Sequence, residues 1–130
     1  MTHGCLCCAK RFQSKRNTRN RFCDNRCQID HQHKQYIERW LRGEETGSTG
    51  LTLTLSGHVR RYLRENFGTA CSQCQWDIKH PTDGAQLTEI DHIDGDAANS
   101  SLQNLRILCP NCHSMTATFR ARNKRSARSR

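Results

Sequence analysis

Apolar positions along this chain come in short groups separated by polar stretches. After Cys27, the run IDHQHKQYIERWL sets Ile29, His33, Tyr36, Ile37, Trp40 and Leu41 at helical spacing on one face. Arg and Lys occupy much of the rest. The spacing predicts a helix from Asn25 to Arg42, stopped by Gly43. Residues 43–50, GEETGSTG, read as a linker by composition. Leu51, Leu53 and Leu55 then alternate with Thr52 and Thr54, as in a short strand or an extended arm. Ser56 has the character of an N-cap for a helix reaching Asn66, with Val59, Tyr62 and Leu63 inward, Arg60, Arg61 and Arg64 outward, and Gly68 ending it. Pro81-Thr-Asp-Gly84 is a turn signal. Leu87 to Ile93 alternates like a strand, with Glu89, Asp91 and Ile93 on one face and Ile90 and His92 on the other. Asp94-Gly95 is a hairpin-turn dipeptide. Met115 and Phe119 fall on one face of a closing helix, and beyond Arg120 the chain is too polar to pack.

These groups make a thin core. Only 34% of the 130 residues are hydrophobic and 6% aromatic, and the mean hydropathy is −0.90. Domains this poor in apolar area need disulfides, metals or oligomerisation. The nine cysteines supply the answer, because eight fall into close pairs: Cys5/Cys8, Cys23/Cys27, Cys71/Cys74 and Cys109/Cys112. Two such knuckles together offer four thiolates to one zinc, so four knuckles predict two structural zinc ions. A site of this kind supplies folding energy on the order of 10 kcal/mol. Cys7 is left over. The N-terminus has no apolar stretch long enough for a signal peptide, which argues against a disulfide scaffold and for the cytoplasm. No apolar run spans a bilayer, so an integral membrane protein is excluded, and no membrane partner is expected.

The predicted organisation is a zinc-knuckle module with its amphipathic helix over 1–42, a linker over 43–55, a second zinc domain over 56–122, and a basic tail over 123–130. Charge follows it. The formal net charge is +9, distributed as +7 over residues 1–42, −5 over 43–100 and +7 over 101–130. Basic ends around an acidic middle suggest phosphate-binding arms flanking a cation site.

The chemistry concentrates in EIDHIDGDAANSSLQNLRILCPNCH, residues 89–113. A carboxylate beside a histidine before a turn can hold a divalent cation and a proton acceptor side by side. A cation on Asp91 and His113 could polarise a phosphate while His92 deprotonates water. Asp94 and Asp96 read as turn residues around Gly95, and Glu89 as either a supporting carboxylate or a solvated strand residue.

Asp-His-Ile-Asp-Gly, then Asn104-Leu105, then Leu108-Cys109-Pro-Asn-Cys112-His113 resembles the HNH endonucleases, over residues 56–123. The resemblance implies a small α+β, zinc-stabilised, treble-clef-like nuclease domain of the ββα-metal fold, hydrolysing phosphodiester bonds in DNA. It implies His92 as general base, Asp91 and His113 as ligands of a catalytic metal, and Asn104 as the brace of the loop that orients the base. Cys71, Cys74, Cys109 and Cys112 would hold one structural zinc, and Cys5, Cys8, Cys23 and Cys27 the other. Some branches carry a third metal-binding histidine where this chain has Ala117, so two protein ligands and water favour Mg²⁺ or Mn²⁺. Residues 5–42 resemble the zinc-ribbon or treble-clef knuckles found ahead of such nucleases, often phage-encoded and free-standing. That implies DNA binding or docking rather than catalysis, with duplex DNA as the substrate of the whole chain. Independently of that resemblance, Arg106, Arg120, Lys124 and Arg125 are basic residues that could contact phosphate. One such site cuts one strand, so a double-strand break needs a homodimer or two visits. Homing, restriction and a role beside phage packaging proteins stay open.

Three rivals use the same letters. Cys109-Pro-Asn-Cys112-His113 fits c-type haem attachment, but the chain lacks the apolar residues for a haem pocket. A zinc deaminase needs H-x-E and P-C-x-x-C, which are absent. A non-catalytic zinc-binding DNA adaptor explains the charge and the cysteines, yet has no need of Asp91-His92 and His113.

Overall fold

In the computed structural model, which describes residues 2–14 and 21–122, the Cys5–Cys8 and Cys71–Cys74 turns fold alike. The residue after each second cysteine donates back to the first cysteine's carbonyl: Ala9 to Cys5 and Gln75 to Cys71, both at 2.9 Å. Closing that turn takes left-handed backbone, φ 63° at Ala9 and 67° at Gln75. Cys5 N–H then donates to Lys10 O and Cys71 N–H to Trp76 O. The residue after each first cysteine bonds the carbonyl two positions before the third: Leu6 to Arg21 and Ser72 to Ile107. In both modules the fourth cysteine lies in the first turn of a helix. Asp24 Oδ1 accepts from Cys27 N–H at 2.8 Å, and Cys109 Sγ from Cys112 N–H at 3.3 Å.

The chain divides into two compact units, residues 1–39 and 40–130. In the first, β1 (Thr2–Gly4) pairs antiparallel with β2 (Arg11–Gln13), His3 opposite Phe12. Helix α1 runs Asn25–Leu41, close to the range the spacing predicts, and its last two residues, Trp40 and Leu41, belong to the second unit. Its apolar face is narrower than predicted. His33, Ile37 and Trp40 are buried, while Ile29 and Leu41 are about half exposed.

In the second unit, part of the stretch read as a linker is ordered as a hairpin. Strand β3 (Ser48–Thr49) pairs with β4 (Thr54–Leu55), Ser48 opposite Leu55. Of the stretch read as a short strand or an extended arm, only Thr54–Leu55 is strand. Leu51 is 97% exposed at the hairpin tip and Leu53 sits at φ 53°, so only Leu55 is buried. Helix α2 is Gly57–Phe67. Ser56 Oγ caps it by accepting from His58 N–H, a bond of about 1 kcal/mol. Val59 and Leu63 are buried at 0% and 2% exposure, each worth roughly 1.5–3 kcal/mol.

Pro81–Gly84 turns as read: Gly84 N–H donates to His80 O, and Lys79 bridges Gln86. Strand β5 (Glu89–His92) pairs antiparallel with β6 (Leu105–Leu108), with His92 opposite Leu105 and Asp91 opposite Arg106. Asp94-Gly95 does not make a tight hairpin. It makes the first bend, Gly95 N–H to His92 O, of a loop that runs from Ile93 to Asn104. Helix α3 is only Pro110–Ser114, with Cys109 as N-cap and Pro110 at its start. The predicted closing helix therefore stops short: Met115 is 75% exposed, and Phe119 lies in a following turn. Around the second cysteine group, Cys71, Leu108, Cys109 and Cys112 form a buried cluster against which Trp76 packs. Among the described residues, no helix is long and apolar enough to cross a membrane.

Candidate metal and catalytic centres

Two groups of four cysteines could hold a metal ion: Cys5, Cys8, Cys23 and Cys27, and Cys71, Cys74, Cys109 and Cys112. Within each group the sulfurs lie within 4.8 Å of one another. Neighbouring sulfurs are 3.6–3.7 Å apart in the pairs Cys8–Cys23, Cys23–Cys27 and Cys74–Cys109. Four sulfurs at 2.3 Å from a tetrahedral zinc stand roughly 3.8 Å apart, so the donor sets fit that ion. Burial pushes the Cys71 thiol up, but the backbone N–H groups of Cys109, Cys74 and Gln73 outweigh it and hold the thiol at about 6. Cys5 is likewise held at about 6, by N–H groups of Cys8, Cys23 and Cys7 against burial. Cys112 is pushed up to about 12 by the Cys109 thiol beside it. Each cluster thus has one thiol ready to ionise first. His31 packs against Phe22 with the rings tilted at 54° and belongs to neither cluster, and neither does His33.

The polar centre lies at the end of the β5–β6 ladder. Asp91 and His92 are adjacent on β5 and both buried. His113 comes to Asp91 from α3, whose start Cys109 and Cys112 fix. Its Nε2 is 3.5 Å from Asp91 Oδ1, and its Nδ1 is 2.6 Å from Glu89 Oε2. The Phe119 ring packs edge-on against the imidazole, centroids 5.1 Å apart. A carboxylate accepts, so Nδ1–H of His113 donates to Glu89 and Nε2 is the atom turned to Asp91. The other Asp91 oxygen, Oδ2, accepts from Arg106 Nε at 2.8 Å. Arg106, read as a phosphate contact, has its guanidinium on this carboxylate.

Asn104 is buried and ties the loop together. Its Nδ2 donates to Asp94 Oδ1 at 2.8 Å and Asn99 O at 2.7 Å, and its Oδ1 accepts from Asp94 N–H at 3.1 Å. The Asn99 amide, the Asp96 N–H and the Asn104 amide together hold the Asp94 carboxyl below its usual range, against burial. Asp94 is thus the turn residue expected of it.

His92 Nε2 is 2.9 Å from Ser100 Oγ. Ser100 Oγ is 2.6 Å from Ser48 Oγ, and Trp40 Nε1–H donates to Ser100 O at 2.8 Å. The sequence reading overlooked Ser48 and Ser100: a serine in a polar loop carries no signal until its neighbours are known. Arg120, at φ 47°, lays its guanidinium over the Phe119 ring, 5.0 Å from the centroid. Lys124 and Arg125 lie outside the described residues.

A 35-residue stretch, 27% of this chain, is 46% identical to the H-N-H endonuclease F-TflIV of Escherichia phage T5. That stretch spans 15% of the phage protein's length. No family profile matches the chain, and no solved structure matches it.

Proposed function

We propose that this protein is a metal-dependent DNA endonuclease of the HNH type, with β5, β6 and α3 as its ββα-metal element. The observation that carries this reading is the facing pair His113 Nε2 and Asp91 Oδ1 at 3.5 Å. With Nδ1 donating to Glu89, both atoms present lone pairs to the gap between them. The distance is long for a hydrogen bond and near the roughly 3 Å that separates neighbouring ligands of an octahedral ion. The likeness to a phage endonuclease over part of the chain supports the same reading.

Asp91 and His113 would hold a Mg²⁺ or Mn²⁺ ion, with water and a phosphate oxygen in the remaining positions. When bound, that ion supplies charge stabilisation to the pentacovalent phosphate and the leaving 3′ oxygen. His92 takes the proton from the attacking water. Glu89 fixes the His113 tautomer, and Arg106 holds the Asp91 carboxylate in place. Asn104 keeps the loop after β5 closed around the base. Both zinc clusters are structural. The remaining basic residues, Arg120, Lys124 and Arg125 among them, contact backbone phosphates and carry no sequence information.

Mn²⁺ binding tests the centre without relying on cleavage. The zinc-loaded protein should bind one Mn²⁺ by electron paramagnetic resonance, and Asp91→Asn or His113→Ala should weaken that binding at least about tenfold. A wild-type protein with no Mn²⁺ site would contradict the proposal.

A further inference from the structure

The side chains behind His92 fix which of its nitrogens carries the proton. Three close oxygen and nitrogen contacts run in a line: Ser48 Oγ to Ala97 O at 2.8 Å, Ser48 Oγ to Ser100 Oγ at 2.6 Å, and Ser100 Oγ to His92 Nε2 at 2.9 Å. Each needs one hydrogen, and each hydroxyl has only one to give. Ala97 O is a carbonyl and only accepts, so the Ser48 hydrogen is spent there. Ser100 must then donate to Ser48. Ser100 has no hydrogen left for His92, so the ring must donate through Nε2–H. The opposite order, Ser48 to Ser100 to His92, leaves Ser48 Oγ and Ala97 O in contact at 2.8 Å with no hydrogen between them. Ser100 can also reach Ala97 O, but only at 3.4 Å. Ser100 is 1% exposed, and an unmade bond at such depth costs about 1–3 kcal/mol.

We infer that Ser48 and Ser100 are positioning residues that hold His92 as its Nε2–H tautomer, so that Nδ1 is the nitrogen that accepts the proton from water. The inference rests on the reading of His92 as the base. It also gives a role to the segment before α2. Trp40 and Ser48 both bond the Ala97–Ser100 turn, and Gly47 lies against Ser100 so closely that a Cβ there would be 2.9 Å from Ser100 O. The stretch between the zinc-knuckle helix and α2 is therefore part of the catalytic centre.

The test uses the full zinc-loaded chain with ¹⁵N-labelled histidine. Long-range proton–nitrogen correlation at about pH 8, where a histidine ring is neutral, identifies the His92 tautomer, with His92→Ala assigning its signals. Plasmid nicking is measured alongside with Mn²⁺ at saturation. The wild type should show Nε2–H. Ser48→Ala, a half-buried position that does not touch the ring, frees the Ser100 hydrogen and should shift His92 toward Nδ1–H. Nicking should slow, and Ser100→Ala should slow it further, on the order of 10- to 100-fold. An Nδ1–H wild type, or a Ser48→Ala protein with unchanged tautomer and rate, would overturn the positioning role while leaving His92 as base. Undiminished nicking by His92→Ala would overturn the base assignment, and the positioning role with it.

Discussion

At the scale of single residues, Gly47 bears the sharpest demand. It sits at φ +82°, and a Cβ would lie 2.8 Å from Trp40 Nε1 and 2.9 Å from Ser100 O. Gly43 has nearly the same φ, +80°, but nothing within 4 Å of its Cβ position. Left-handed backbone costs an alanine about 1–2 kcal/mol. Gly43→Ala should therefore cost about that much. Gly47→Ala should cost roughly 2–4 kcal/mol, because the Trp40–Ser100 bond must also give way. Urea unfolding of the two variants checks this, and equal losses would contradict it. Residues of this kind separate what the sequence shows from what it hides. Asp91, His92, Asn104 and His113 were legible as a group by type and spacing, and the fold brings His113 Nε2 to 3.5 Å from Asp91 Oδ1. Ser48 and Gly47 were not, because GEETGSTG has the composition of a flexible joint and only the fold brings it against Ser100. For Arg106, read as a phosphate contact, only the strand register shows that it lies opposite Asp91, where its Nε donates to that carboxylate.

At the scale of elements, the two four-cysteine clusters could hold zinc, which would make up for the thin core. The cysteine pairing made both clusters readable. The bond-for-bond likeness of the two turns was not, since the modules share little beyond cysteines and a hydrogen-bond pattern. Helix α2 was legible end to end because Ser56 and Gly68 mark it. The closing helix was overextended because Met115 and Phe119 have helical spacing, yet Met115 is left mostly in solvent. The knuckles also set a pH dependence. Cys5 and Cys71, held at about 6, contribute stability that is complete above the unfolded thiol's 9.0 and lost as pH falls through 6. Cys23, Cys74 and Cys112 are raised, so their contribution is complete below 9.0 and declines only at higher pH. In the reduced, metal-free chain, ordered structure should therefore increase from pH 6 toward 9. Circular dichroism across that window measures it, and a decrease would contradict the assignment. Zinc should raise the signal at every pH in the window.

At the scale of the whole molecule, the charge map makes the tail's part in the proposed DNA binding measurable. Residues 123–130 carry Lys124, Arg125, Arg128 and Arg130. Each phosphate that goes unneutralised lowers the slope of log K against log salt by about 0.9 on duplex DNA. Deleting the tail should weaken binding and reduce that slope by roughly 2–4, while leaving the zinc content unchanged. An unchanged slope would remove the tail from the interface. Cleavage is read by a supercoiled-plasmid assay on the wild type and His92→Ala, with Mg²⁺, Mn²⁺ and EDTA lanes. Nicking by the wild type should need the divalent ion, stop with EDTA, and fall by on the order of 10²-fold or more in His92→Ala at unchanged zinc content and DNA affinity. Salt-sensitive DNA binding by both proteins, with no cleavage in any metal, would contradict the nuclease reading and favour a zinc-built DNA adaptor.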